Sequence, residues 1–140
     1  MLRGLTTVSF QTTDLDAAKA WYTELLGIEP YFDTPAYLEW RIGDYQHELG
    51  ILDSAYLGEV GARPTNAQAG PSGTLVYWHV DDIEATMARL VELGATQLEA
   101  PRDFGHAFIG ASVVDPFGNV LGVMQNPHYL EVLVSGSSAA

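Results

Sequence analysis

The chain contains four histidines and no cysteine, so imidazole and carboxylate side chains are the groups through which it could bind a metal or transfer protons. His79 is the most informative of them, because it alternates with Leu75 and Tyr77 in a strand-like segment and should share a sheet face with both. On that face Tyr77 and His79 could act as acid or base, or could simply form hydrogen bonds with the backbone or water. The other histidines are scattered and lack the i, i+4 spacing of a helical metal-binding pair: His47, His106 and His128.

An internal repeat identifies the helices that accompany these residues. Residues 14–18 are echoed by residues 82–86, and both copies begin with an aspartate that can cap a helix. Apolar residues then recur at helical spacing, and each copy ends at a glycine suited to a helix C-terminus. The repeat therefore predicts helices near 14–26 and 82–93.

Strand-like segments accompany both predicted helices. One segment precedes each helix and three follow it, so each half of the chain has the order βαβββ. The segments are 7–11, 29–33, 37–42 and 48–52 in the first half, and 75–80, 96–99, 108–114 and 120–125 in the second. The predicted fold is α+β with two tandem βαβββ modules. Its parts are a first module (1–53), a linker rich in glycine and proline (54–72), a second module (73–127), and a C-terminal extension with a flexible tail (128–140).

Two such modules predict a cupped sheet with helices on its outer face and a concave groove on the other. Alternation along the strands indicates which side chains face this groove. Phe10 and Trp78 suit the helix side, which leaves Ser9 and Gln11 in the first strand for the groove. By the same alternation Met124 faces the groove in the last strand.

Several aromatic and charged side chains share the groove face. Tyr37 and Tyr77 are candidates for stacking against a bound compound, as are Phe108 and Phe117. Glu39 and Arg41 are also predicted to lie on the groove face, where they could simply form an ion pair with each other.

Composition narrows the range of partners. Eighteen acidic and six basic residues give a formal net charge of −12, which argues against DNA, RNA or an acidic membrane as a partner. No run of apolar residues approaches the roughly 18 needed to cross a bilayer, and no signal peptide is expected. The absence of cysteine excludes disulfides and thiolate metal sites. We therefore expect a cytoplasmic protein with a neutral or cationic small-molecule ligand, and with no nucleic-acid or membrane partner.

The chain resembles the vicinal oxygen chelate superfamily, which includes glyoxalase I, the bleomycin-resistance proteins and the extradiol dioxygenases. The resemblance covers nearly all of residues 4–127 and is closest to a bacterial branch that lacks the usual metal ligands. It rests on three features in this order and spacing: residues 14–22 leading to 25–27, residues 80–83 leading to 93–95, and the Asp-Pro-Phe-Gly-Asn turn at 115–119. The resemblance implies paired βαβββ modules with a ligand site on the concave face.

The resemblance also implies four metal-ligand positions, and here none of them carries a good ligand. Members that depend on a metal present His, Glu or Gln from the first and fourth strands of each module, where a divalent ion polarises substrate oxygens. These positions fall on Thr7, Gly50, Leu75 and Gly122. Glu48 could serve if the strand register differs, but one carboxylate does not hold a catalytic ion. We therefore expect no metal and no cofactor.

The preferred functional prediction is a metal-independent, glyoxalase/bleomycin-resistance-like protein that holds a small planar or cationic compound in the groove. One alternative is a lyase, isomerase or dioxygenase-type enzyme that uses Tyr or His acid–base chemistry or an unpredicted metal site. Another is a subunit or sensor whose groove is vestigial. The predicted ligand-binding residues share strand parity with the family's ligand-facing positions: Ser9, Gln11, Tyr77, His79 and Met124. The resemblance assigns no catalytic residue.

We also expect a homodimer. The groove contains Leu52, Leu75, Val120 and Met124, and this is more apolar surface than a monomer usually leaves exposed. A second copy would cover it, and residues 129–134 could pack across the interface.

Overall fold

The computed structural model describes residues 1–56 and 74–138. Contacts divide the chain into two compact units, Met1–Ala69 and Gly70–Ala140, which we call unit 1 and unit 2. Of the predicted linker 54–72, residues 57–72 lie outside the described residues. Each unit is therefore described by itself.

Among its described residues, unit 1 has a 12-residue helix and a four-stranded mixed sheet, and residues 54–56 are also helical. Its elements are β1 (Thr7–Thr12), α1 (Leu15–Leu26), β2 (Phe32–Asp33), β3 (Tyr37–Ile42) and β4 (His47–Asp53). The strand order is β1-β4-β3-β2, in which β1 is parallel to β4 and the other neighbours are antiparallel.

Helix α1 begins and ends where the sequence predicts. The Asp14 side chain accepts a hydrogen bond from the Ala17 amide at 3.0 Å, and Gly27 ends the helix with a left-handed φ of 69°. One side of the helix packs against the sheet through Ala18 and Tyr22, both fully buried. The core of unit 1 thus lies between α1 and one face of the sheet, which contributes Leu38, Trp40, Leu49 and Ile51.

Unit 2 repeats this arrangement and adds a C-terminal helix. Its elements are β5 (Tyr77–His79), α2 (Ile83–Glu92), β6 (Thr96–Asp103), β7 (Ile109–Val114), β8 (Val120–Gln125) and α3 (Pro127–Ser138). The strand order is β5-β8-β7-β6, and β5 is parallel to β8. The α+β class and the two successive βαβββ units predicted from the sequence are confirmed.

Sequence signals again account for the ends of the elements in unit 2. Asp82 caps α2 by accepting a hydrogen bond from the Ala85 amide at 3.0 Å. Asp115, only 3% exposed, accepts hydrogen bonds from the amides of Phe117 and Asn119 and so fixes the turn between β7 and β8. The core lies between α2 and one sheet face: Ile83, Met87 and Leu90 from the helix, with Ala111, Val113, Leu121 and Val123 from the strands.

Several elements differ from their predicted bounds: the strand predicted at 29–33 spans only Phe32–Asp33, and the one predicted at 75–80 spans only Tyr77–His79. Strand β6 continues to Asp103, beyond the predicted 96–99, with register shifts against β7 on both sides of Glu99. The segment 128–140, predicted as a C-terminal extension with a flexible tail, forms helix α3 through Ser138. Within the described ranges, no helix has the length and apolar character needed to span a bilayer.

Candidate functional site

The strands of unit 1 present polar side chains on the sheet face opposite α1. Phe10 and Trp40 lie on the helix side, with ring centroids 6.3 and 6.0 Å from that of Tyr22. Because side chains alternate along β1, Ser9 and Gln11 lie on the opposite face, as the sequence predicted.

A cluster of hydrogen-bonded side chains surrounds Glu39 on this opposite face. The hydroxyl groups of Tyr31 and Tyr37 donate to the two different oxygens of the Glu39 carboxylate. The Tyr31 hydroxyl also lies 2.9 Å from Oε2 of Glu48, and the Arg41 guanidinium lies 4.0 Å above the centre of the Tyr31 ring. We call these five residues the Glu39 cluster. Glu39 and Arg41 do share a face, but the hydrogen-bond partners of Glu39 are the two tyrosines.

The Glu39 cluster shifts the pKa values of its members. The carboxylates of Glu39 and Glu48, which both lie within hydrogen-bonding distance of the Tyr31 hydroxyl, raise the pKa of Tyr31 to about 12, with a smaller contribution from desolvation. Burial, and then the hydrogen bond to Glu39, raise the pKa of Tyr37. Burial alone would raise the pKa of Glu39, but the interaction with Glu48, the hydrogen bonds from both tyrosines and the Arg41 charge outweigh burial and lower that pKa. At neutral pH the buried Glu39 carboxylate in the cluster therefore accepts hydrogen bonds from two neutral phenols.

The raised pKa of Tyr31 predicts a loss of stability in alkali. The folded state holds the Tyr31 proton more tightly than the unfolded state, whose tyrosine titrates near 10.0, so the stabilisation is complete below that pH and is lost as pH rises towards about 12. The free energy of unfolding in urea should fall across this window, and it should fall less steeply in Tyr31→Phe. An equally steep fall in both proteins would contradict this role for Tyr31.

Unit 2 carries Tyr77, His79 and Met124 together on the sheet face opposite α2. Tyr77 pairs with Gly122 and His79 with Met124, whereas Trp78 pairs with buried Val123. Burial, and to a lesser extent the charge of Glu99, raise the pKa of Tyr77. The structure thus brings together the three predicted site residues of unit 2, while Ser9 and Gln11 share the corresponding face of unit 1.

His79 contacts two residues at the start of α3, one just before the helix and one in its first turn. Its Nδ1 accepts a hydrogen bond from the Asn126 amide at 3.2 Å, and its ring stacks on that of Tyr129 at 4.6 Å between centroids. Its Nε2 lies 3.3 Å from a carboxylate oxygen of Asp81, and the side chain is 10% exposed. His79 therefore anchors the start of α3, and a role in ligand binding stays a prediction.

The other histidines lie apart from these two faces or at their margins. His47 begins β4 and stacks on Tyr45, His106 occupies a turn with a φ of 55°, and His128 lies exposed in the first turn of α3. Across residues 1–56 and 74–138, no three His, Asp or Glu side chains are close enough together to hold a metal ion.

Tyrosine rings cover the two glycines at which the resemblance implied metal ligands. A Cβ atom added to Gly50 would lie 2.8 Å from Cε2 of Tyr37. A Cβ atom added to Gly122 would lie 2.6 Å from the carbonyl oxygen of Val76 and 2.9 Å from Cδ1 of Tyr77. Contacts this short are not tolerated without movement, so a longer ligand side chain at Gly50 would first have to displace the Tyr37 ring, and one at Gly122 would have to displace the backbone of Val76.

The other two implied ligand positions do not compensate. Thr7 offers only a hydroxyl, 3.4 Å from a carboxylate oxygen of Glu48, and Leu75 places a methyl group against Gly122. Hydroxyl, methyl and two covered glycines are a poor donor set for a divalent ion. The residues present at these four positions therefore do not fit the metal that the resemblance implied.

Sequence reasoning did not identify Tyr31 as part of a candidate site. Residue 31 lies just before β2, and its amide donates to the carbonyl of Glu39 at 3.0 Å. That contact depends on the pairing of β3 with β2, and β2 has only two residues. No local sequence pattern predicts this pairing.

Comparison with known proteins shows which family and which relatives the chain is similar to. The family model described as Glyoxalase/Bleomycin resistance protein/Dioxygenase superfamily matches residues 4–123. The chain is 31% identical over 130 residues to proteins named "Putative glyoxylase CFP32" from Mycobacterium bovis and Mycobacterium tuberculosis. The match covers 91% of this chain and 48% of each relative, so the chain spans about half the length of the curated relatives it matches.

Solved structures share the fold at lower identity. A glyoxalase-related enzyme from Fulvimarina pelagi has a TM-score of 0.73 at 22% identity, with 90% of each chain covered. A glyoxalase/bleomycin resistance protein/dioxygenase family enzyme from Burkholderia phytofirmans has a TM-score of 0.71 at 19% identity, with 87% of this chain and 98% of that one covered. At these identities the likeness concerns the fold alone.

Proposed function

The chain belongs to the Glyoxalase/Bleomycin resistance protein/Dioxygenase superfamily, and on that basis we propose that it is a metal-independent small-molecule-binding protein. The proposed ligand contacts lie on the sheet faces opposite α1 and α2, at Ser9, Gln11, Tyr77, His79 and Met124. The observation that supports the proposal most is that glycine occupies two of the implied metal-ligand positions, each with a tyrosine ring against it. That replacement exchanges metal-coordinating groups for aromatic surface, the usual material of an organic-ligand site.

Tyr77 is the central contact of this proposal in unit 2. Its Cδ1 and Cε1 atoms lie 2.9 and 3.4 Å from where Cβ atoms of Gly122 and Gly110 would stand, so this edge of the ring lies close to the backbone of both glycines. Met124 lies beside the same Gly110, 3.5 Å from where a Cβ would stand. A flat compound could stack on such a surface, and the Tyr77 hydroxyl could orient it by a hydrogen bond.

A lyase, isomerase or dioxygenase-type activity is the second candidate, with Tyr77 as the proton donor, because burial and the charge of Glu99 raise its pKa and keep the phenol neutral. A phenol that stays protonated at neutral pH can donate a proton to a developing oxyanion. In that case Tyr77→Phe abolishes turnover and changes ligand affinity by less than about tenfold.

We further propose that the protein acts as a homodimer in the cytoplasm. Leu130, Val132 and Val134 on α3 are between 44% and 65% exposed, and a second copy would cover them. The absence of cysteine suits a reducing compartment.

Ligand binding can be tested by nuclear magnetic resonance on chelator-treated, ¹⁵N-labelled full-length protein titrated with a library of planar aromatic fragments. We expect fragments that shift the Tyr77 and Met124 amides without added metal, and a loss of about tenfold in affinity in Tyr77→Leu, in keeping with one lost stacking contact. Tyr45→Leu, in the turn between β3 and β4, is the matched control and should bind normally. Fragment binding that appears only after addition of zinc, nickel or manganese would overturn the proposal.

A further inference from the structure

We propose that the Glu39 cluster, together with Phe32, is a binding subsite for a small organic cation such as an alkylammonium or quaternary ammonium group. The inference rests on the proposed function and deepens it, because it names the charge class of the ligand and a part of unit 1 that would recognise it. Aromatic rings, a buried carboxylate and an internal cation each support it.

Three aromatic rings stand around the carboxylate. Phe32 pairs with Glu39 in the β2–β3 ladder and so lies on the same sheet face, with its ring 6.1 Å from that of Tyr37. Tyr31 and Phe32 are each 48% exposed, so the rings can be reached from solvent. Aromatic faces attract cations through their quadrupole, and walls of this kind are how proteins bind quaternary ammonium groups.

The carboxylate at the base of these rings determines which ligands fit. Glu39 is only 8% exposed, and its two oxygens accept hydrogen bonds from the hydroxyl groups of Tyr31 and Tyr37. A phenol has a single proton, so both hydroxyl oxygens can then only accept further hydrogen bonds. The subsite therefore favours a ligand that donates hydrogen bonds or carries positive charge over one that accepts or is anionic.

Arg41 already supplies a cation to this site. Its guanidinium carbon lies 4.0 Å above the centre of the Tyr31 ring, although the side chain is exposed and could extend into solvent. The position shows that a cation and this ring are compatible in the folded protein. It also makes Arg41 a competitor, because it covers one side of the ring and repels a second positive charge.

Choline and its uncharged carbon isostere 3,3-dimethyl-1-butanol are suitable probes, since they share shape and differ in charge. We expect choline to shift the amides of Phe32 and Glu39 in ¹⁵N-labelled full-length protein, and the isostere to bind about tenfold more weakly. Sodium chloride at matched ionic strength is the blank for general screening.

Variants make the test specific. Phe32→Ala removes a half-exposed ring and should weaken choline binding about fivefold with little effect on folding, whereas Tyr45→Ala, 43% exposed in the same unit, should not. Arg41→Gln should strengthen choline binding, because it removes the competing cation.

Three results would overturn the inference: no saturable choline shift in the millimolar range, equal binding of the isostere, or equal losses in Phe32→Ala and Tyr45→Ala. The aromatic fragments test the proposed function at Tyr77 and Met124 in unit 2, whereas choline tests this inference in unit 1. Loss of one signal with retention of the other shows which of the two has failed.

Discussion

Gly122→Ala is expected to destabilise unit 2 by about 2 to 3 kcal/mol, the upper range for an atom forced into filled space. The new Cβ would lie 2.6 Å from the carbonyl oxygen of Val76. That carbonyl accepts the Gly122 amide at 3.2 Å, so the obstacle is the pairing of β5 with β8 itself. Relief requires the two backbones to separate, because no rotation of a side chain can move a carbonyl oxygen of the neighbouring strand.

Gly136→Ala in α3 is the matched control for this substitution. Apart from its chain neighbours and its own helix backbone, no atom of the described residues lies within 4 Å of its added Cβ, and alanine favours helix over glycine by about 0.5 to 1 kcal/mol. The same chemical change should therefore stabilise at Gly136 and destabilise at Gly122. Native-state hydrogen exchange measures both effects within unit 2, and a cost at Gly122 below about 0.5 kcal/mol would contradict the close approach of the two strands.

The parts of the fold that the sequence predicted are those controlled by neighbouring residues. Asp14 and Asp82 form the expected caps, and the alternation along β1 placed Ser9 and Gln11 correctly relative to α1. A cap or an alternating strand depends on residues within a few positions, so its signal survives in the sequence alone.

Helix α3 carried a local signal that composition obscured. The Asn126 side chain accepts a hydrogen bond from the Tyr129 amide at 3.1 Å, and Pro127 occupies the first helical position. Asparagine followed by proline is a typical helix start. The small residues at 135–138 favour disorder when composition alone is considered. The contact of Tyr129 with His79 joins distant parts of the chain, so the local sequence does not predict it.

The Glu39 cluster and the covered glycines could not be predicted, because both depend on pairing between strands. The sequence reveals that Gly50 and Gly122 lack ligand atoms, but not which side chain fills the space. Tyr37 reaches Gly50 from β3, and Tyr77 lies over Gly122 from β5, so the filling residue comes from an antiparallel neighbour in one unit and from a parallel neighbour in the other. Such differences follow from register, which local patterns leave open.

The two glycines should respond differently when the tyrosine above them is removed. All three atoms nearest to the Cβ site of Gly50 belong to the Tyr37 side chain, whereas the nearest atom at Gly122 is the backbone oxygen of Val76. Gly50→Ala should therefore cost about 1 to 3 kcal/mol with Tyr37 present and much less in a Tyr37→Ala background. Gly122→Ala should stay costly in a Tyr77→Ala background.

A pair of double-mutant cycles, read by hydrogen exchange in each unit, measures this difference. We expect a coupling energy of about 1 to 2 kcal/mol between positions 37 and 50, and a clearly smaller one between positions 77 and 122. Equal coupling in both cycles would mean that Val76 is not the main obstacle at Gly122. Because the atoms nearest to the Cβ site of Gly50 all belong to the Tyr37 side chain, we expect that a ligand side chain could be restored in unit 1 by substituting both residues. The backbone closes the equivalent position in unit 2, where the same exchange would first have to separate β5 from β8.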